Sequence, residues 1–277
     1  QLAGVSNTDW SWSPLVVDLD NDGWKDLHIT NGMLRDITNL DFVKYTSGYS
    51  SQYNKDTGNK GSMWQLIRDM PSTKLNNYVF RNEHDLTFSN RTKAWGFTDE
   101  AISNGCAYAD LDNDGDLDLV VNHLNDLAGV YRNNSSGSHG GHFARITLKG
   151  AGANTQGIGA KVHVRTDHLD QYLEQYPSRG FQSSVDPLMH VGLGGDSLIR
   201  SIEVTWASGR QSILKDQPAD KFFVIEEASS SVPSAPVANT RSDWYDDVTA
   251  SSGISYVHRN AAFVDFKISP LLPYQVS

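Results

Sequence analysis

A single cysteine, Cys106, stands in this sequence. No disulfide framework can staple the chain, and cysteine usage says nothing of its redox compartment. Flanked by Ala107 and Tyr108, Cys106 reads as a small buried strand residue. Basic residues are scarce: 23 Lys and Arg face 33 Asp and Glu, for a net charge of −10. Phosphate binding needs a basic face, so nucleic acid is excluded as a partner. No apolar run reaches about eighteen residues, so no membrane span is expected. A signal peptide is also missing. The first residue is Gln1 and not Met, from which the expectation is a removed leader or excision from a longer chain. Catalytic signatures are absent too. The nine histidines form no His-Glu-x-x-His pattern, and there is no Gly-x-Ser-x-Gly elbow. Gly192-Leu-Gly-Gly-Asp196 lacks a following helix and a Lys-Ser/Thr pair, so it reads as a hairpin turn, not a phosphate cradle.

What is present is enough for real cores. Of 277 residues, 38% are hydrophobic and 10% aromatic, which accommodates one large or two ordinary domains. Abundant glycine and recurrent Asn-Gly and Asp-Gly pairs favour an all-β chain.

Two acidic strings dominate the pattern. Asp18, Asp20, Asp22 and Asp26 occupy loop positions 1, 3, 5 and 9, with Gly23 at position 6. Asp110, Asp112, Asp114 and Asp118 repeat this around Gly115. Calcium takes six to eight oxygens at about 2.3–2.6 Å, and alternate residues of a tight loop can aim oxygens at one point. Glycine permits the turn, and the backbone carbonyl of position 7, Trp24 or Asp116, is expected to add a ligand. Two carboxylates about 4 Å apart repel by roughly 4 kcal/mol at an effective dielectric of 20, so the clusters call for a cation. Magnesium prefers stricter octahedral geometry. Position 12 is Ile29 or Val121 and the flanks are strand-like, so these are not EF-hands. The expectation is two Ca2+ sites in strand-connecting loops, with the position-9 Asp closing each shell.

An internal repeat surrounds the loops. The first leads eventually to Tyr78-Val-Phe-Arg-Asn82, the second quickly to Gly129-Val-Tyr-Arg-Asn133. The difference is an insert at about 33–76 with helix-compatible spacing at Met63, Leu66, Ile67 and Met70. A half-repeat matches Phe88 to Phe97 with Tyr245 to Ile254. Each unit therefore has about four strands, the size of a propeller blade, and a unit at roughly 85–134 is complete. A ring needs at least four blades, so further sequence or other chains are expected to complete it. Trp10, Trp12 and Trp24 read as packing residues. These units resemble the FG-GAP/VCBS family of calcium-loop propeller blades. The chain departs from that family's Phe-Gly…Gly-Ala-Pro signature, carrying Asn104-Gly-Cys-Ala-Tyr-Ala109 instead.

After a Ser/Gly/His linker at 135–141, residues 142–228 form a second module of alternating strands, read as an antiparallel sandwich of six to eight strands. It carries Gly157-Ile-Gly-Ala-Lys-Val162, His190-Val-Gly-Leu-Gly194 and Glu203-Val-Thr-Trp-Ala-Ser-Gly-Arg210. On these residues it resembles the ASPIC/UnbV domain. A Ser/Pro/Ala linker at 229–242 precedes a further blade beginning at 243–277, so the sandwich is inserted between blades. The expected fold is all-β: β-propeller-type blades with calcium loops in an incomplete ring over 1–134, an inserted antiparallel β-sandwich, and a short helical insert.

Neither resemblance implies a defined chemistry. The expectation is a calcium-stabilised secreted or cell-surface binding or adhesion module without catalytic activity. The bacterial outer surface or periplasm is included in that location. Its partner is a protein or glycan ligand, or other copies and blades of a larger assembly. One alternative is a polysaccharide-acting enzyme or carbohydrate-binding protein; its carboxylates would come from Asp41, Asp69, Glu83, Glu100 and Glu174, which form no pattern. The other is a structural subunit of an extracellular assembly. Asn90-Arg-Thr92 and Asn133-Asn-Ser135 are glycosylation sequons.

Overall fold

The computed structural model describes residues 2–36, 40–42, 44, 68, 70–135, 141–232 and 247–257. Over these the regular structure is almost all β-strand, arranged in several open sheets. Alternation of buried and exposed side chains explains the first strand, β1 (Ser11–Val17), where Leu15 and Val17 face inward and Val16 faces solvent. It pairs antiparallel with β2 (Asp26–Asn31), and the acidic string connects the two. β4 (Tyr78–Asn82) and β5 (Phe88–Asn90) complete a four-stranded sheet. The second string likewise joins β7 (Ser103–Ala109) to β8 (Asp118–His123), and β9 (Gly129–Tyr131) completes a three-stranded sheet. The short β3 (Leu75–Asn76) and β6 (Glu100–Ala101) pair with each other.

The two blade sheets share irregularities as well as strands. The β1–β2 register shifts between Ser11 and Pro14, and the β7–β8 register shifts between Ser103 and Cys106, the equivalent positions. A bulge bends its strand and re-aims the residues beyond it, so both loops leave their sheets the same way. Leu15, Val17, Val79, Phe97, Leu119 and Val121 pack together as the core of this half. Cys106 lies within it, its Sγ 3.4 Å from Ser13 Oγ and 3.6 Å from His28 Nδ1.

The module after the linker packs two sheets around a separate core of Ile146, Val162, Val191, Ile202, Val204 and Trp206. One sheet holds β10 (His142–Lys149) between β13 (Met189–Gly194) and β16 (Lys221–Glu226). The other runs β12 (Asp170–Glu174), β11 (Lys161–Arg165), β14 (Leu198–Thr205), β15 (Gln211–Pro218). The sandwich is not wholly antiparallel, because β10 and β16 run parallel. Successive strands joined by hairpins must be antiparallel; β16 instead returns to β10 from the far end of the module.

Several expectations shift. β5 does not open the second blade: it hydrogen-bonds to β4 and closes the first sheet. Trp10 and Trp24 are not core residues, being 37% and 42% exposed; Trp12 is half-buried and donates Nε1–H to Gly32 O at 2.7 Å. Most of the helical insert expected at 33–76, including Met63, Leu66 and Ile67, lies outside the described residues. Its two ends pair, Met33 with Thr73, and Asp36 N–H donates to Pro71 O at 2.8 Å. Residues 229–231, read as linker, dock on the sandwich: Ser231 bridges Gln211 and Arg210 Nε donates to Ser230 Oγ. In the separate unit 235–277, Thr249 N–H donates to Asp247 Oδ1 at 2.9 Å. Thr92 N–H donates to Asn90 Oδ1 at 3.0 Å in the same position of the half-repeat.

Candidate functional site

Each acidic string folds into a tight loop, and the two loops match bond for bond. Gly23 and Gly115 take φ of 92° and 94°, and Asn21 and Asn113 take 58° and 62°. Left-handed backbone is cheap for Gly and tolerated by Asn. The first carboxylate of each loop accepts the N–H of its glycine: Asp18 Oδ2 from Gly23 at 2.9 Å, Asp110 Oδ2 from Gly115 at 3.1 Å. Asp22 Oδ1 accepts from Trp24 N–H and Asp114 Oδ1 from Asp116 N–H. These bonds bring one oxygen each of Asp18, Asp20 and Asp22 within 4.8 Å of one another, and likewise of Asp110, Asp112 and Asp114.

The position-9 carboxylates are differently placed. Asp26 Oδ2 accepts from Leu19 N–H at 3.0 Å and its Oδ1 from Asn82 N–H at 2.9 Å. Asp118 does the same with Leu111 and Asn133, both at 2.8 Å. Both oxygens thus tie the loop start to the closing strand, and neither residue joins the three-oxygen groups. Asp116 is fully buried and accepts from Asn21 Nδ2 at 3.0 Å, while the Trp24 ring stacks on His84 at 4.8 Å.

Three oxygens show that a cation fits. Asp18 Oδ1, Asp20 Oδ1 and Asp110 Oδ1 are buried without a hydrogen-bond partner. Buried acceptors are normally satisfied. Burial, reinforced by Asp22 and Asp20, pushes the Asp18 carboxyl up to about 7 against the pull of Lys25 and the Gly23 N–H. Burial likewise raises Asp26 to about 8. Such shifts mark carboxylates lacking enough positive charge around them.

Arginines supply part of that charge, and sequence reading missed their role. Arg81, from the closing Arg-Asn of the repeat, sits 2.7 Å from Asp20 and 2.8 Å from Asp22; the equivalent Arg132 is 4.0 Å from Asp112. The recurrence of Arg-Asn after each loop was the available signal. No local signal marks Arg145, on β10 of the sandwich. Its Nη1 lies 2.6 Å from Asp110 Oδ2 with both side chains buried, and its guanidinium covers the Phe222 ring at 4.5 Å. Asn21 makes the second crossing: its Nδ2 donates to Gly115 O at 2.9 Å, its Oδ1 meets His190 Nε2 at 2.7 Å, and its carbonyl accepts from Gly194 N–H. His190 is buried, and burial pushes its imidazole down to about 3, so it stays neutral. Both loops are therefore wedged between blades and sandwich. Asn133, one of the sequon asparagines, commits its amide to Leu19 O and Leu117 O.

Known proteins match these two halves separately. Residues 68–121, which contain the second loop, match the FG-GAP-like repeat, and residues 150–232 match the family ASPIC and UnbV. The FG-GAP match agrees with propeller-like blades. Cartilage acidic protein 1 of Mus musculus is 31% identical over 140 residues, which is 48% of this chain and 21% of that protein. The Homo sapiens protein of the same name is 31% identical over 140 residues, 48% of this chain and 20% of that one. The chain thus spans about a fifth of the length of the curated relatives it matches.

Proposed function

We propose that this chain is a calcium-stabilised extracellular or cell-surface binding module without catalytic activity. The observation that carries the reading is the pair of matched three-carboxylate clusters, each with at least one buried oxygen left without a partner. Asp18, Asp20 and Asp22 would hold one ion, and Asp110, Asp112 and Asp114 the other. When bound, calcium supplies positive charge that lets these carboxylates stay ionised and close together. The chain's own groups do the rest. Asp26 and Asp118 hold each loop closed, Arg81 screens Asp20 and Asp22, and Arg145 ties the second loop to the sandwich.

The exterior location is supported by calcium chemistry, since extracellular modules bind at about 10⁻⁴–10⁻³ M, far above cytosolic supply. Among the described residues no helix is long and apolar enough to cross a membrane. The non-catalytic reading is supported by where perturbed carboxylates fall. Among the described residues those pushed upward are Asp18, Asp26 and Asp114, all within the loops. The FG-GAP-like and ASPIC/UnbV matches support a binding or adhesion role.

Thermal unfolding with millimolar calcium and with EDTA tests the proposal. An ion binding only the folded chain at about 10 times its Kd adds about 1.4 kcal/mol per site. Chelation should therefore lower the Tm by several degrees, and an unchanged Tm would overturn the reading.

A further inference from the structure

A cavity of about 500 Å³ opens between the first blade and the sandwich. That volume lies within the range of about 300–1,000 Å³ typical of small-molecule sites. Its inner wall carries Lys25 and Arg179, both half-buried. Among the described residues the Lys25 ammonium has no hydrogen bond or ion pair, and the Arg179 guanidinium donates only to Glu174 O, at 3.3 Å. This contrasts with Arg81, Arg145, Arg165 and Arg200, each of which reaches a carboxylate within 3.0 Å. In a chain with ten excess negative charges, two cations without a salt bridge on one cavity wall run against the overall balance.

The electrostatics agree. Burial holds Lys25 below the ordinary lysine range; Asp18 and Asp26 pull it back up, and the like charge of Arg179 across the cavity pushes it down. Arg179 also acts on the half-buried Tyr108 hydroxyl at the cavity wall. Among the described residues none of the carboxylates lining the space forms an ion pair with either cation, and Asp18 acts on Lys25 only at longer range. Glu174 and Asp186 are exposed at the rim, and Asp186 Oδ1 accepts from Leu188 N–H. Asp18 faces its own loop through Gly23. His190, the remaining titratable group on the wall, is neutral and bonded to Asn21. At the mouth stand Tyr172 and Tyr176, 63% and 56% exposed. Exposed tyrosines offer flat faces with a polar tip, which suits an amphipathic ring and not a purely apolar body.

We propose that this cleft binds an acidic saccharide, its carboxylate or sulfate set between Lys25 and Arg179 and a sugar ring against Tyr172 and Tyr176. Such an anion relieves the repulsion between the two cations and gains charge-assisted hydrogen bonds from both. Asp18 of the first loop lines the same space, but the proposed contacts are made by Lys25, Arg179, Tyr172 and Tyr176 and do not require calcium.

The test uses the full chain in isothermal titration with three probes: cellobiouronic acid, cellobiose and inorganic sulfate. The acidic disaccharide should bind, with cellobiose and sulfate each at least about tenfold weaker. Arg179→Gln and Lys25→Gln should each weaken the acidic disaccharide about tenfold. Tyr172→Ala, at an exposed position that leaves the core intact, should weaken it several-fold. Equal binding of cellobiose and cellobiouronic acid removes the role of the cations. Sulfate binding as tightly as the disaccharide reduces the site to a simple anion pocket. Failure of the acidic disaccharide to bind at millimolar concentration overturns the proposal outright. Each titration is run with calcium and with EDTA. Binding in both, beside a Tm indifferent to EDTA, upholds the cleft while sinking the calcium reading; a calcium-sensitive Tm with no saccharide binding does the reverse.

Discussion

Asp18 is 1% exposed and lies against two other carboxylates, yet one of its oxygens has no partner. Its ordinary value near 3.8 rises to about 7 mainly because burial disfavours the charged form. A folded-state pKa above the unfolded one has a definite sign. The neutral carboxyl's contribution is full below about 4 and is lost as pH rises through about 7 in the metal-free chain. A cation reverses this, because it binds only the ionised group and must expel the proton. Calcium affinity at the first loop should therefore fall about tenfold per pH unit below about 7 and level off above it. Titration calorimetry from pH 5.5 to 8.5 on Asp112→Asn/Asp114→Asn, which leaves the first loop alone, reads that slope. An affinity flat across the range would show that Asp18 is no ligand.

The hairpin with its loop is the repeating element, and its closing asparagine explains why Arg-Asn recurs. Asn82 and Asn133 each place a backbone N–H on the position-9 carboxylate, while their amides differ. Asn82 Nδ2 donates once, to Lys25 O at 3.1 Å, whereas Asn133 Nδ2 serves both Leu19 O and Leu117 O. Each Oδ1 also accepts one backbone N–H, from Ser135 and His84 respectively, so at about 1 kcal/mol per hydrogen bond Asn133→Ala should cost about 3 kcal/mol and Asn82→Ala about 2 kcal/mol in urea unfolding. The reverse ranking would place the stabilisation elsewhere. The element scale also shows what could be read in advance. Aspartates at alternate positions before a glycine announce the loops, because that spacing leaves little other use for them. Strand alternation around Val162, Val164, Ile202 and Val204 announces the sandwich. Pairing partners are another matter. Phe88–Asn90 comes after β4 and joins its sheet, and β16 lies parallel beside β10, through contacts that no local pattern encodes. Trp24 looks like a core residue by type, but its loop position leaves it against His84 and solvent.

Across the molecule, the blades and the sandwich meet at the loops and not along a broad apolar face. Gly115 has no room for a side chain because Phe143 of the sandwich closes over it, and Gly192 has none because Asp18 does. Arg145 is the charged link. Removing one member of a buried ion pair typically costs about 3–5 kcal/mol, chiefly by stranding the other charge. Arg145→Met keeps the stem against Phe222 but strands the carboxylate of Asp110, whose side chain is 1% exposed. In EDTA the variant should lose about 3 kcal/mol. With calcium bound, the ion faces Asp110 and replaces much of the missing charge, so the loss should fall to about half or less. Urea denaturation in both conditions measures the difference, and the Arg145→Met/Asp110→Asn double mutant isolates the pair. An equal loss with and without calcium would detach the sandwich from the metal site. The predicted inequality instead makes the second loop the joint at which ion binding and the seating of the sandwich are one equilibrium.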